Sequence, residues 1–99
     1  MRLITKQSIE AFMDARPFKK SNTEVVVHLG CTILRLFDNP IAYRYNDPER
    51  TLSISNCGWK SNTTKERLNA IPGVRIHQKA GDWYLNGEKW NGNLIDVKL

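Results

Sequence analysis

Two-residue turn signals set between short alternating runs constrain this chain more than any other feature of it. Asn86-Gly87 separates residues 83–85 (WYL) from 88–90 (EKW), and Asn-Gly supplies the positive-φ pair that matches the twist of an antiparallel hairpin. A two-residue loop there sets Leu85 opposite Glu88, Tyr84 opposite Lys89 and Trp83 opposite Trp90. Asp38-Asn39 plays the same part between residues 32–37 and 41–46, setting Leu36 opposite Ile41, Leu34 opposite Tyr43 and Thr32 opposite Tyr45. That register gives one face to Leu34, Leu36, Ile41 and Tyr43 and the other to Arg35 and Arg44. Gly30 ends a β-branched run at residues 23–29, Asp47-Pro48-Glu49 and Ala80-Gly81-Asp82 mark further turns, and Asn91-Gly92 precedes a last run at 94–98. Residues 51–56 alternate, Leu52 and Ile54 inward, Ser53 and Ser55 outward. Val74 and Ile76 alternate in turn with Arg75, His77 and Lys79.

Two segments carry helical spacing instead. Ile9, Phe12 and Met13 fall on one face of a helix that starts at Thr5 or Ser8 and runs to Arg16, where Pro17 stops it. Lys19, Lys20, Ser21 and Asn22 then read as a polar connection. Thr64, Leu68 and Ile71 line a second helix over 64–71, with Thr63 and Glu66 at capping-box spacing before it and Pro72-Gly73 after it. The order is one helix, four strands, a second helix and three or four short strands, without βαβ repetition. It predicts one α+β domain over residues 1–99, a mainly antiparallel twisted β-sheet with two short helices packed on one face. The predicted core is Phe12, Val25, Val27, Leu34, Leu36, Ile41, Tyr43, Leu52, Ile54, Leu68, Ile71, Val74, Ile76, Trp83 and Leu85.

Composition narrows the class. Ninety-nine residues, 40% apolar and 25% charged, suit one globular core rather than a disordered tail. The opening MRLITKQSIEAF is interrupted by Lys6, Gln7 and Glu10, so no secretory or membrane-spanning run is expected and the compartment is read as cytoplasmic. Cys31 and Cys57 are then read as free thiols.

Catalytic constellations are missing. His28, Cys31, Cys57 and His77 are the residue types of a zinc site, yet no CxxC or HxxxH pair supplies ligand spacing, so no metal is expected. Cys57 has no base placed beside it by spacing and is expected to be buried and structural. Asp38, Asp47 and Asp82 sit in turns, where Asp serves the backbone. With neither a P-loop nor GxGxxG, no cofactor is expected, and the chain is expected not to be an enzyme.

Binding remains. Fifteen Lys and Arg against ten Asp and Glu give a net charge of +5 and favour an anionic partner. Lys60, Lys65 and Arg67 gather at the second helix start, where free N–H groups also attract anions, and Arg75 and Lys79 project from one strand face. These five are the expected phosphate contacts, with Trp59 and Tyr84 as stacking residues for an unpaired base. A solvated outer sheet face would show the same polar alternation. Trp59, preceded by the flexible Gly58, is expected to lid the core beside the second helix. The alternative function is a protein–protein inhibitor or adaptor of host machinery, acting through an aromatic patch around Trp59 and Tyr84.

The stretches LSISNCGW (52–59), SNTTKERLNAIPGV (61–74) and HQKAGDWYLNGEKWNG (77–92), with KKSNTEVVV (19–27) and LFDNPIAYRY (36–45), resemble a family of small bacteriophage accessory proteins. The resemblance runs from about residue 18 to 98 and implies expression in the bacterial host cytoplasm and stoichiometric binding of a host or phage macromolecule. It brings no active-site residue with it.

Overall fold

The computed structural model describes residues 1–97. Its elements in chain order are α1 (Leu3–Met13), β1 (Phe18–Lys20), β2 (Thr23–His28), β3 (Cys31–Leu36), β4 (Asn39–Tyr45), β5 (Leu52–Ile54), α2 (Asn62–Asn69), β6 (Ile76–Lys79), β7 (Asp82–Leu85), β8 (Glu88–Trp90) and β9 (Ile95–Val97). Lys98, predicted to end the last strand, lies outside the described residues. All pairings are antiparallel, and the fold is α+β. The strands form two sheets rather than one: six in the order β1-β2-β3-β4-β5-β9, and three in the order β6-β7-β8.

Local chemistry sets the hairpins. β6, β7 and β8 are joined by Ala80-Gly81 and Asn86-Gly87, whose residues all have positive φ, the condition for a tight loop matched to strand twist. The predicted register across Asn86-Gly87 holds, with Trp83 opposite Trp90 and Tyr84 opposite Lys89. β1, read from sequence as a polar connection, pairs with β2 through a loop at Ser21-Asn22, with Ser21 at φ 54°.

The hairpin of β3 and β4 departs from expectation by one residue. The loop is Phe37-Asp38, both at positive φ, and Leu36 faces Asn39. Ile41 is then an extra residue in the ladder, a bulge between the Arg35–Pro40 and Leu34–Ala42 pairs. Ile41 and Ala42 are both buried as a result. Beyond the bulge the faces exchange: Tyr43 lies opposite Ile33 on the outer face, and Arg44 lies opposite Thr32 on the inner face. There the Arg44 guanidinium donates to the Met13 carbonyl, covering the open end of α1.

Both helices stack on the inner face of the larger sheet, and the inner face of the smaller sheet closes over α2. One apolar cluster joins them: Ile9 and Phe12 from α1, Val25, Leu34, Leu36, Ile41 and Ile54 from the large sheet, Leu68 from α2, and Trp83, Leu85 and Trp90 from the small one. Two predicted core residues fall outside it. Tyr43 is half-buried on the outer face, and Val27, with the right strand parity, lies past the end of α1 beside Ala15 and is 39% exposed.

The α2 cap also differs. Ser61, not Thr63, is the N-cap: its hydroxyl accepts from the Thr64 N–H at 3.1 Å. Glu66 is thereby freed from the predicted capping box and turns toward α1. Its Oε1 accepts from Arg2 at 2.9 Å, from the Thr5 hydroxyl and from Arg67 Nη1 at 2.8 Å. Arg67 is 1% exposed, and it also donates to Thr5 and, through Nε, to Thr23 at 3.2 Å. This cluster ties α1, α2 and β2 together.

Candidate nucleic-acid interface

Period-2 alternation divides the smaller sheet into two faces. Ile76, Trp83, Leu85 and Trp90 point into the core. Their neighbours point outward: His77 lies opposite Tyr84, Tyr84 opposite Lys89 and Lys79 opposite Asp82. His77 and Tyr84 stack, ring centroids 4.9 Å apart and planes 7° from parallel. Arg75 extends the same series, with its N–H accepted by Asn86 Oδ1 at 2.8 Å, which anchors the strand start to the hairpin loop. Arg75, His77, Lys79 and Lys89 are exposed and Tyr84 is half-buried. Lys89 has one acidic neighbour, Asp82, at 3.5 Å in a solvated pair that holds it weakly. The result is a stacked pair of rings, each with one face turned to the other, bordered by Arg75, Lys79 and Lys89 and built on the two tight hairpin loops that hold β6 to β8.

The residues expected from sequence to bind phosphate do not all meet there. Arg75, Lys79 and Tyr84 share this face. Lys60 lies on a neighbouring groove of about 560 Å³, which Lys89, Trp90 and Ile95 also line. Lys65 points to the other side of the sheet: its Nζ donates to Gln78 Oε1 at 3.0 Å and stands 6.0 Å from the Trp83 ring centre. Arg67 is the clearest correction. It is 1% exposed and occupies the interior as the partner of Glu66, Thr5 and Thr23, out of reach of a phosphate; burial also pulls its pKa down. Nothing in the local sequence marks it as inward-facing: the partners that hold it, Thr5 and Thr23, come from α1 and β2.

Trp59 is also displaced from expectation. It is 62% exposed and does not cover the core. It stands at the mouth of a cleft of about 410 Å³ with Phe37, 66% exposed, above Leu36 and Ile41. Tyr84 is not part of that lining, so the expected aromatic patch around Trp59 takes Phe37 as its second ring. Two residues escaped the sequence-derived set for the basic face. Alternation puts His77 on the outward side but gives it no role, and the Asn86-Gly87 register makes Lys89 the cross-strand neighbour of Tyr84.

Of the sulfur and imidazole groups, His28 and Cys31 lie opposite each other across the β2–β3 hairpin, but Cys57 and His77 do not join them. Cys57 is half-buried, with its Sγ 3.0 Å from the Pro40 carbonyl, while His77 stacks in the other sheet. Burial raises the pKa of Cys31. Among the described residues no group of three or more His, Cys, Asp or Glu side chains is arranged to hold a metal, and no helix is long and apolar enough to cross a membrane.

Comparison with known proteins adds a family. The chain is similar to a tyrosine–tRNA ligase of Picrophilus torridus, 29% identical over 87 residues, which is 87% of this chain and 26% of that protein. It therefore spans about a quarter of that relative's length. No solved structure matches. The model of the Kyanoviridae Gp96 protein family matches residues 1–96, nearly the whole length. A match of that extent places the chain in a bacteriophage lineage, and it belongs to the Kyanoviridae Gp96 protein family.

Proposed function

We propose that this phage protein is a non-enzymatic binding protein that engages single-stranded nucleic acid through the outer face of the β6-β7-β8 sheet, in the host cytoplasm. The observation that carries this reading is the stacked His77–Tyr84 pair with Arg75, Lys79 and Lys89 around it. An exposed ring offers a π-face to any base, and cations beside it neutralise phosphates and release counterions. A basic sheet face alone would be ordinary solvated surface; the parallel rings at its centre are what favour an unpaired strand over a diffuse polyanion. The likeness to part of a protein named for tRNA makes RNA the first polyanion to try.

Fluorescence anisotropy with a labelled single-stranded RNA tests this. Tyr84→Ala is expected to weaken binding roughly tenfold, as loss of one stacked base does. Binding indifferent to Tyr84 and to charge reversal at Lys79 would remove the proposal. The adaptor reading rests on a different observation, the exposed rings of Phe37 and Trp59. A protein captured from host lysate that survives nuclease treatment and is lost with Trp59→Ala favours it.

A further inference from the structure

Both helices pack on one face of the six-stranded sheet. A sheet whose second face meets water alternates apolar inward with polar outward. This sheet departs from that rule. Val26, Ile33 and Tyr43 form one outward row across β2, β3 and β4, continued by Ser53 and Asp96 on β5 and β9. Cys31 and Tyr45 stand beside that row on one side, and Pro40 on the other. All six of these apolar or aromatic side chains are half-buried, and Tyr43 stacks on Tyr45 with ring centroids 6.2 Å apart and planes 9° from parallel. A groove of about 220 Å³ runs between Val26, Ile33, Pro40 and Tyr43. The three long strands at the centre thus carry apolar side chains on both faces, the pattern of a sheet covered on both.

The strand charges on this face cancel. Lys19 and Arg35 balance Glu24 and Asp96, while the whole chain carries +5. Two copies of so basic a chain repel least where their charges cancel. Arg35 and Glu24 are cross-strand partners 3.7 Å apart. The other two, Lys19 on β1 and Asp96 on β9, are exposed and mark opposite edges of the sheet. Strands about 4.8 Å apart with a rise of about 3.3 Å per residue give the face a projected area of roughly 450 Å². Two such faces bury about 1,000 Å² once side-chain relief is included, the threshold of a specific interface.

We propose that a second copy of this chain covers this face, in a two-fold dimer whose axis runs along the strands above the line between β3 and β4. That axis lays β1 over β9 of the second copy, β2 over β5 and β3 over β4. Ile33 of each copy then packs on Tyr43 of the other, in a sandwich of two sheets about 10 Å apart. Lys19 and the second copy's Asp96 fall one row apart, about 7 Å along the strands and within a lysine's reach, and the symmetry makes this contact twice. An axis across the strands would set the two copies of Asp96 against each other instead. The β6-β7-β8 sheet packs against α2 on the helix side, so the interface leaves both His77–Tyr84 faces free.

Sedimentation velocity of the nuclease-treated full chain tests the interface, with a thiol reductant present to keep Cys31 and Cys57 free. A monomer–dimer equilibrium with a micromolar Kd is expected, traced from about 1 to 500 μM. Ile33→Glu puts a charge at the centre of the contact and should weaken the dimer about a hundredfold. A charge exchange at the edges gives a second test that does not depend on that central position. Lys19→Glu alone and Asp96→Lys alone each turn two attractive contacts repulsive, and each should weaken the dimer roughly tenfold. Mixed with one another, the two variants form a heterodimer in which both contacts again join opposite charges, so affinity should return close to that of the parent. Recovery on mixing also shows that both variants are folded. A parent protein still monomeric at about 500 μM overturns the proposal and leaves the face to a different partner. A dimer indifferent to Ile33→Glu overturns it as well, and so do charge variants that fail to recover when mixed. Tyr84→Ala should leave the dimer unchanged, so failure of this interface and failure of the basic face are told apart.

Discussion

Glu66→Ala is expected to destabilise the protein more than Arg67→Met, although Arg67 is the buried member of the pair. The Arg67 side chain is 1% exposed and that of Glu66 31%. Removing Glu66 strands a guanidinium in the interior with only the hydroxyls of Thr5 and Thr23 for company. Breaking a buried pair in this way costs about 3–5 kcal/mol, and the partial solvation of Glu66 sets the expectation at the low end, about 3 kcal/mol. Removing Arg67 leaves no orphan: Thr5 still donates to Glu66, Thr23 still donates to Asn22 Oδ1 at 2.8 Å, and Glu66 keeps Arg2. A methionine fills the vacated space, so Arg67→Met should stay within about 1 kcal/mol of the parent. The double variant should then be more stable than Glu66→Ala alone by about 2 kcal/mol. Urea unfolding at neutral pH reads all three. The acid limb gives a second check. The Thr5 hydroxyl first, then Arg2 and Arg67, hold the Glu66 carboxyl below its ordinary 4.5 against the opposing effect of burial. A depressed folded pKa means stabilisation present above the unfolded value and lost as pH falls through the folded one. The Glu66→Ala deficit should therefore shrink as pH drops below about 4.5. An Arg67→Met cost equal to or above that of Glu66→Ala, or a double variant showing the sum of both, would refute this account of the cluster.

Further expectations follow from single contacts. Gly92→Ala combines a φ of +88° with a Cβ driven into Asn56, and should cost more in thermal-melt stability than Gly30→Ala, where φ is +83° but the space is open. About 1 kcal/mol is expected for Gly30→Ala, a shift of roughly 4–8 °C for a chain of this size, and a larger shift for Gly92→Ala. Asp47 accepts the Thr51 hydroxyl at 2.7 Å and the Thr51 N–H at 2.8 Å, which holds its carboxyl below the ordinary 3.8. Stability differences between the parent and Asp47→Asn should exist above that pH and fade beneath it in acid titration. Arg44→Met should loosen the end of α1, read as faster amide exchange at Asp14, Ala15 and Arg16, because the Met13 carbonyl loses its cover.

What was legible in the sequence was set by local chemistry. Asn86-Gly87 dictated its own register and, through it, the pairing of Tyr84 with Lys89 on the basic face. The alternation of Arg75, His77 and Lys79 survived because no bulge interrupts β6. Where one extra residue entered a ladder, as at Ile41, each side chain beyond it changed face, and Tyr43 and Arg44 exchanged roles. Such a bulge leaves no local mark: Asp38-Asn39 is as good a turn pair as the Phe37-Asp38 actually used. The burial of Arg67 was equally hidden, since its partners Thr5 and Thr23 stand far away in sequence on α1 and β2. Trp59 needed tertiary knowledge too. The Asn56–Gly58 bond and the Trp59 N–H to Asn56 carbonyl bond turn its loop outward, and alternation says nothing about a residue after a strand has ended.

The salt dependence of RNA binding tests the central claim, that a compact charged and aromatic face holds a single strand. Three phosphate contacts, from Arg75, Lys79 and Lys89, predict a log–log slope of about −2 against salt, a loss of roughly fifteenfold between 50 and 200 mM. With Arg75→Glu and Lys79→Glu together, the slope should flatten to about −0.7 or less and affinity should collapse at low salt. An unchanged slope in that variant, or no RNA bound by the parent protein at low salt, would contradict the account.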